Sequence, residues 1–222
     1  LRPGTIQVSN DIIRRCPQAG HPGHRQQSGK PEWDIQMTPT PRYDPFSIVL
    51  HWLVAVAVLA TYAIGLGREL VPKGELRTAT LALHLSLGLS VFVLTALRLG
   101  WRGLRPSVPS LAGPRWALLA SQAMQLALYL ALIALPLIGL FSVWAEGRGV
   151  GVFGLFVLPS PINADKRLVE PLEDLHAVGA HLMIALAGLH AAAALVHHHL
   201  LRDDTLVRIL PLALAQRLRP GA

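Results

Sequence analysis

The chain has 222 residues, 52% of them apolar and only 15% charged, with a mean hydropathy of +0.43. A soluble domain carries about 25% charged residues; the shortfall excludes a sizeable water-soluble domain and points to lipid-facing surface, where charge is costly. The net charge of +7 does not mark a nucleic-acid domain, because the basic residues sit between apolar runs instead of in one block, as topology signals beside anionic lipid do. The single Cys16 excludes intrachain disulfides and Cys-rich zinc or iron–sulfur sites.

Residues 1–45 hold seven prolines and four glycines among scattered charges and no recognisable cleavable signal. That composition predicts a disordered arm over 1–41. Met37 stands shortly before the first apolar run, so residues 1–36 are expected not to belong to the fold. Four long apolar stretches follow: Phe46 to Leu66, Ala79 to Leu97, Ala117 to Trp144 and Leu175 to Leu201. Crossing hydrocarbon as a helix takes about 20 residues, so each predicts a membrane span. The third carries Pro136, which a membrane helix accommodates as a kink. Helices buried in a soluble bundle would need polar outer faces that these stretches lack.

The loops orient the spans. Fourteen Lys and Arg residues fall on the side of the two termini and six on the other. Those six (Arg68, Lys73, Arg77, Arg148, Lys166, Arg167) are matched by seven acids. Without residues 1–36 the ratio is still nine to six. Both termini are therefore expected in the cytoplasm. Trp52, Trp101, Trp116 and Trp144 fall near helix ends, as an interfacial belt requires.

Four histidines lie within the apolar runs: His51, His84, His176 and His190. A titratable ring inside hydrocarbon signals function by default, although a lone one is as often a hydrogen-bonded packing residue. Their arrangement tips the balance. His176 and His190 are fourteen residues apart, which puts them within roughly 40° on one helix face and about 21 Å apart along its axis. By depth, His51 pairs with His190 near the cytoplasmic side and His84 with His176 near the outer side. Imidazole suits iron, copper, zinc and nickel. A bare zinc or copper site wants more ligands, and no carboxylate, cysteine or methionine lies at suitable depth. Haem supplies four equatorial nitrogens, so two axial histidines complete its iron and favour electron transfer.

Other residues carry weaker signals. His181 lies about 140° off the His176 face, where packing or a polar contact between helices is expected. His197 shares the His190 face and could reach a haem propionate or a quinone; a cationic cluster with His198 and His199 at the interface explains it equally well. Arg98 and Arg102 end the second span, where they could pair with propionates or simply anchor the helix. Gly88 and Gly179, about one turn after His84 and His176, would let a flat macrocycle approach, or serve ordinary helix packing.

At these residues the chain resembles the bacterial cytochrome b561 family of four-helix di-haem membrane cytochromes. The resemblance covers about Arg42 to Pro211 and rests on RYDPFSIVLHW at 42–52, HLSLGLSVFVLTALRL at 84–99, YLALIALPLIG at 129–139 and GLHAAAALVHHHLLRDDTLVRILP at 188–211. It implies His51, His84, His176 and His190 as haem ligands, two haem b groups per chain and a quinone as electron partner. One branch looks like a superoxide oxidase that reduces ubiquinone, with Lys73, Arg77, Lys166 or Arg167 aiding the anion's approach. The chain departs from the family at Gln125, where relatives often have histidine in a peripheral position.

The expected fold is therefore an all-α integral membrane four-helix bundle binding two b-type haems, over 42–211, with a C-terminal tail over 212–222, in the bacterial inner membrane. The expected activity is electron transfer between a donor, such as superoxide, and a quinone. Two other readings compete: a di-haem anchor for a soluble dehydrogenase or hydrogenase subunit, and a histidine-lined metal or proton transporter.

Overall fold

A computed structural model describes residues 42–68, 70–105, 108 and 114–218. The expected N-terminal arm over 1–41 lies outside these residues. Helices α1 (Pro45–Arg68), α2 (Glu75–Leu104), α3 (Arg115–Ala145) and α4 (Lys166–His199) occupy the four apolar runs. All four are long and apolar enough to cross a membrane. Their outer surfaces carry exposed Leu, Val and Phe side chains throughout, as surfaces solvated by lipid do. The chain ends of α1 and α4 define a terminal face; the α1–α2 and α3–α4 connections define a hairpin face.

The helices run past their apolar segments. At 34 residues α4 is about 51 Å long, well beyond the roughly 30 Å of hydrocarbon. Its polar opening, KRLVEPLEDL, supplies the excess. Asp165 caps this end by accepting from the Arg167 amide at 3.0 Å. Pro136 sits within an unbroken α3.

The all-α expectation needs one amendment. The α3–α4 connection holds an antiparallel hairpin, β1 (Val150–Val152) and β2 (Phe156–Leu158). Phe153 and Gly154 both have positive φ, 48° and 71°, and the Leu155 amide donates to the Val152 carbonyl at 2.9 Å. Positive φ is unusual for Phe. Its amide donates to the buried Ser86 hydroxyl of α2 at 2.9 Å, which ties the turn to the bundle. The expected C-terminal tail also contains a short helix, α5 (Leu212–Leu218).

Helices α1 and α2 pack closely, as do α3 and α4, and α2 meets α3. Helix α4 has no comparable packing on α1 or α2 and buries none of its residues fully. Across that separation reach the histidines. Midway between them, Val54, Val58, Val91 and Leu132 form a buried apolar cluster against which Met183 and Ile184 of α4 pack. On the terminal face, residues after α4 clasp the start of α1. Arg42 donates to the Leu210 carbonyl at 2.5 Å and the Trp52 indole to the Ile209 carbonyl at 3.0 Å.

Candidate functional site

The structure brings the four intramembrane histidines together in two pairs. Toward the hairpin face, His84 of α2 and His176 of α4 have ring centroids 6.0 Å apart and planes at 77°. Each donates Nδ1–H to a backbone carbonyl of the preceding helix, His84 to Thr61 and His176 to Leu135, both at 3.0 Å. A carbonyl only accepts, so the proton is fixed on Nδ1 and the Nε2 lone pair is left for a metal. The residue one turn after each carbonyl is glycine. A Cβ on Gly65 would stand 3.0 Å from His84 Cε1, and one on Gly139 the same distance from His176 Cε1. The missing side chain is what lets each ring reach its carbonyl.

Toward the terminal face, His51 of α1 and His190 of α4 have ring centroids 6.4 Å apart and planes at 69°. The His51 Nδ1 atom is buried without a hydrogen-bond partner among the described residues. Trp52 meets His51 edge-on at 5.6 Å, and the Arg98 guanidinium is within electrostatic reach of both rings.

Both spacings suit a shared ion. First-row metals bind imidazole nitrogen at about 2.0–2.1 Å; with about 1.1 Å from nitrogen to ring centre, two trans imidazoles have centroids about 6.3 Å apart. No group of three or more His, Cys, Asp or Glu converges among the described residues. A site built from protein ligands alone is thus short of donors, whereas a macrocycle brings its own four. Room for one exists around His84 and His176, in a cavity of about 660 Å³. Gly88 lines it, and a Cβ there would meet nothing within 4 Å, as an open cradle for a flat ring requires.

The model of the prokaryotic cytochrome b561 family matches residues 42–212. The chain belongs to the prokaryotic cytochrome b561 family. It is 31% identical over 173 residues to cytochrome b561 homolog 1 of Escherichia coli (strain K12), covering 77% of this chain and 97% of that one. Similarity extends to the probable superoxide oxidase CybB of Yersinia pestis, 30% identical over 171 residues, 77% of this chain and 96% of the relative. Cytochrome b562 of Cereibacter sphaeroides is 28% identical over 181 residues, 78% and 98% of the two chains. As a cytochrome b561 family member with four spans, the chain is an integral membrane protein of electron transport, and its family implies b-type haem.

The remaining candidates of this cytochrome divide by what they touch. Arg98 lies over the Tyr129 ring at 5.6 Å. Arg102 donates to Gln125 at 3.2 Å. His197 is bonded through Nδ1 to Asp203 at 2.5 Å, at the end of α4. His181 is held by the Tyr62 hydroxyl at 2.8 Å. Gly179 serves packing: a Cβ there would stand 2.5 Å from Leu135 Cδ2. Sequence reasoning missed Gly65, Gly139 and Arg68. The last lines the cavity with a buried Nε that has no partner among the described residues. Glycine at the depth of a histidine on the neighbouring helix is the signal that could have found the first two.

Proposed function

We propose that the chain is a di-haem b-type cytochrome carrying electrons between a donor and a quinone. One haem iron is held by His84 and His176, the other by His51 and His190. The observation that carries this reading is the pair of imidazole couples at 6.0 and 6.4 Å, stacked along α4 with an apolar cluster between them. Haem iron, when bound, would supply one-electron chemistry, and these imidazoles would hold it. The chain's own residues hold and orient. Thr61 and Leu135 fix the proton positions of His84 and His176; Gly65 and Gly139 admit the rings. Arg68 would offer its guanidinium to a haem propionate in the cavity, and Arg98 and Arg102 would do so toward the terminal face.

Superoxide is the proposed donor, supported by the relative named a probable superoxide oxidase. The orientation proposed places both termini on the cytoplasmic side of a bacterial inner membrane, because the sequence concentrates Lys and Arg in the terminal segments and the α2–α3 connection. The test is haem stoichiometry. His51→Ala and His84→Ala should each lower the haem-to-protein ratio of purified protein to about half its parent value, since loss of one axial ligand undoes one site. A variant keeping its full complement overturns the ligand assignment. Absence of any b-type signal in the reduced-minus-oxidised spectrum of the parent overturns the function.

A further inference from the structure

Helices α1 and α4 approach one another less closely than α1 and α2 or α3 and α4 do, so the line between them is a seam of the bundle. Across it, near the hairpin-face histidines, Tyr62 of α1 and His181 of α4 meet. The hydroxyl is 2.8 Å from Nδ1 and the rings stand edge-on at 5.7 Å. Both residues line the 660 Å³ cavity. Their neighbours on the same helices, Leu59, Leu66, Val178 and Leu182, are exposed on the outer surface, where the only solvent for a membrane span is lipid. The Tyr62–His181 couple therefore stands in a doorway between lipid and cavity.

The chemistry of this couple is constrained. If the tyrosine donates to Nδ1, the proton of the neutral ring is on Nε2 and that N–H is unspent. If Nδ1–H donates to the tyrosine oxygen, the phenolic O–H is unspent. In either tautomer one donor remains for a third group. A polar donor without a partner in an apolar medium costs roughly 1–3 kcal/mol, so apolar side chains would close this seam more cheaply. Glu146, Glu173 and Asp174 line the same cavity; from the lipid side, the acceptor that can reach this donor is one that arrives through the bilayer. A soluble anion does not come from that side.

We propose that the Tyr62–His181 couple is the head-group site of a quinone, which enters sideways between α1 and α4 and accepts a hydrogen bond from the couple through a ring carbonyl. Flat apolar rings bearing carbonyl acceptors match both the doorway and the spare donor. This rests on the quinone reading above and gives it a place on the hairpin-face half of the bundle. Tyr62 and His181 act here as binding residues.

The experiment uses the full haem-loaded chain in lipid nanodiscs, with a short-chain ubiquinone as titrant and an azido-ubiquinone as photolabel. Haem content is read in parallel. The double variant Tyr62→Phe with His181→Leu should weaken quinone binding about tenfold, the loss expected when one hydrogen bond to a ligand is removed. His181→Gln, which keeps a donor, should stay within about threefold of the parent. Photolabel should map to peptides of α1 and α4, and the haem spectrum should not move. Unchanged affinity in the double variant, labelling confined to the terminal face, or haem loss accompanying the weaker binding each overturns the site. If the parent binds no quinone at all, the electron acceptor proposed above falls as well. If the parent binds quinone and only the double variant fails to respond, that acceptor stands and this site alone is wrong.

Discussion

The two imidazole pairs have similar spacings but are held by different means. His84 and His176 are braced by carbonyls of neighbouring helices, with a glycine one turn beyond each carbonyl. The device occurs twice, once on α1 for a ring from α2 and once on α3 for a ring from α4. Among the described residues, His51 and His190 have no such brace, and the His51 Nδ1 atom is buried and bare. Around them the structure closes a clasp instead. Arg42 and Trp52 bond the carbonyls of Leu210 and Ile209, and Asp44 accepts from the Trp101 indole at 3.1 Å. The comparison teaches that one site is preorganised by rigid helix backbone and the other by the chain's terminal segments.

The strongest way to break this contrast is to fill the space beside a braced ring. A Cβ on Gly139 would already stand 3.0–3.1 Å from His176 Cε1 and Nδ1. Gly139→Val adds two further methyl groups against a ring that cannot retreat without losing its carbonyl. The expected outcome is loss of close to half the bound haem, with the terminal-face spectrum retained. Gly100→Ala, whose Cβ meets nothing within 4 Å, is the control. Equal loss from both sites would show that the brace does not separate them.

A milder test leaves the protein intact. Oriented imidazoles bind metal more tightly, and loss of an outer partner typically costs 10–100-fold in affinity. When apoprotein receives less than one equivalent of haem, the hairpin-face site should fill first, by about tenfold or more. Repeating the titration with His84→Ala and His51→Ala identifies which spectrum belongs to which pair. Filling in the reverse order would mean that the clasp organises its site better than the carbonyls organise theirs.

How much of this could be read from the residues alone follows from where each interaction resides. The spans were legible because 20-residue apolar runs have few alternatives. The pairing of His51 with His190, and of His84 with His176, could be read as depth, since helix rise is constant. The braces could not: Thr61 and Leu135 act through backbone carbonyls, which every residue has. Gly179 has the same composition signal as Gly139, yet one admits a leucine methyl and the other an imidazole. Only the rotation of neighbouring helices tells them apart. The β-hairpin was hidden because VGVFGLFVL is apolar without a clear period, and its decisive bond is to Ser86, far away in sequence. Arg102 and His197 were read either as reaching for a cofactor or as anchoring their helix ends; in the structure they touch Gln125 and Asp203, polar groups that a depth argument does not place.

The smallest expected effect probes the outer edge of the clasp. Asp203 accepts from the Thr205 amide at 2.9 Å and from His197 Nδ1 at 2.5 Å. Burial pushes its carboxyl upward, but the hydrogen bonds from His197 and Thr205 outweigh that and hold it below the ordinary value of 3.8. A carboxylate with a depressed folded pKa adds stability at pH values above its unfolded value and loses it as pH falls through the folded one. Asp203→Asn should therefore lower the melting temperature at pH 7 by about 1–3 °C, the range for a half-exposed pair worth under about 1 kcal/mol. The gap between variant and parent should begin to narrow as pH falls past the ordinary carboxyl value of 3.8 and close only once the folded carboxyl, held lower still, is protonated. Because the bond lies at the end of α4, any change in haem spectrum should be confined to the His51–His190 site. A melting difference that persists unchanged into acid would assign Asp203 a packing role with no charge in it, and a response at the His84–His176 site would show that the clasp and the braces act as one unit.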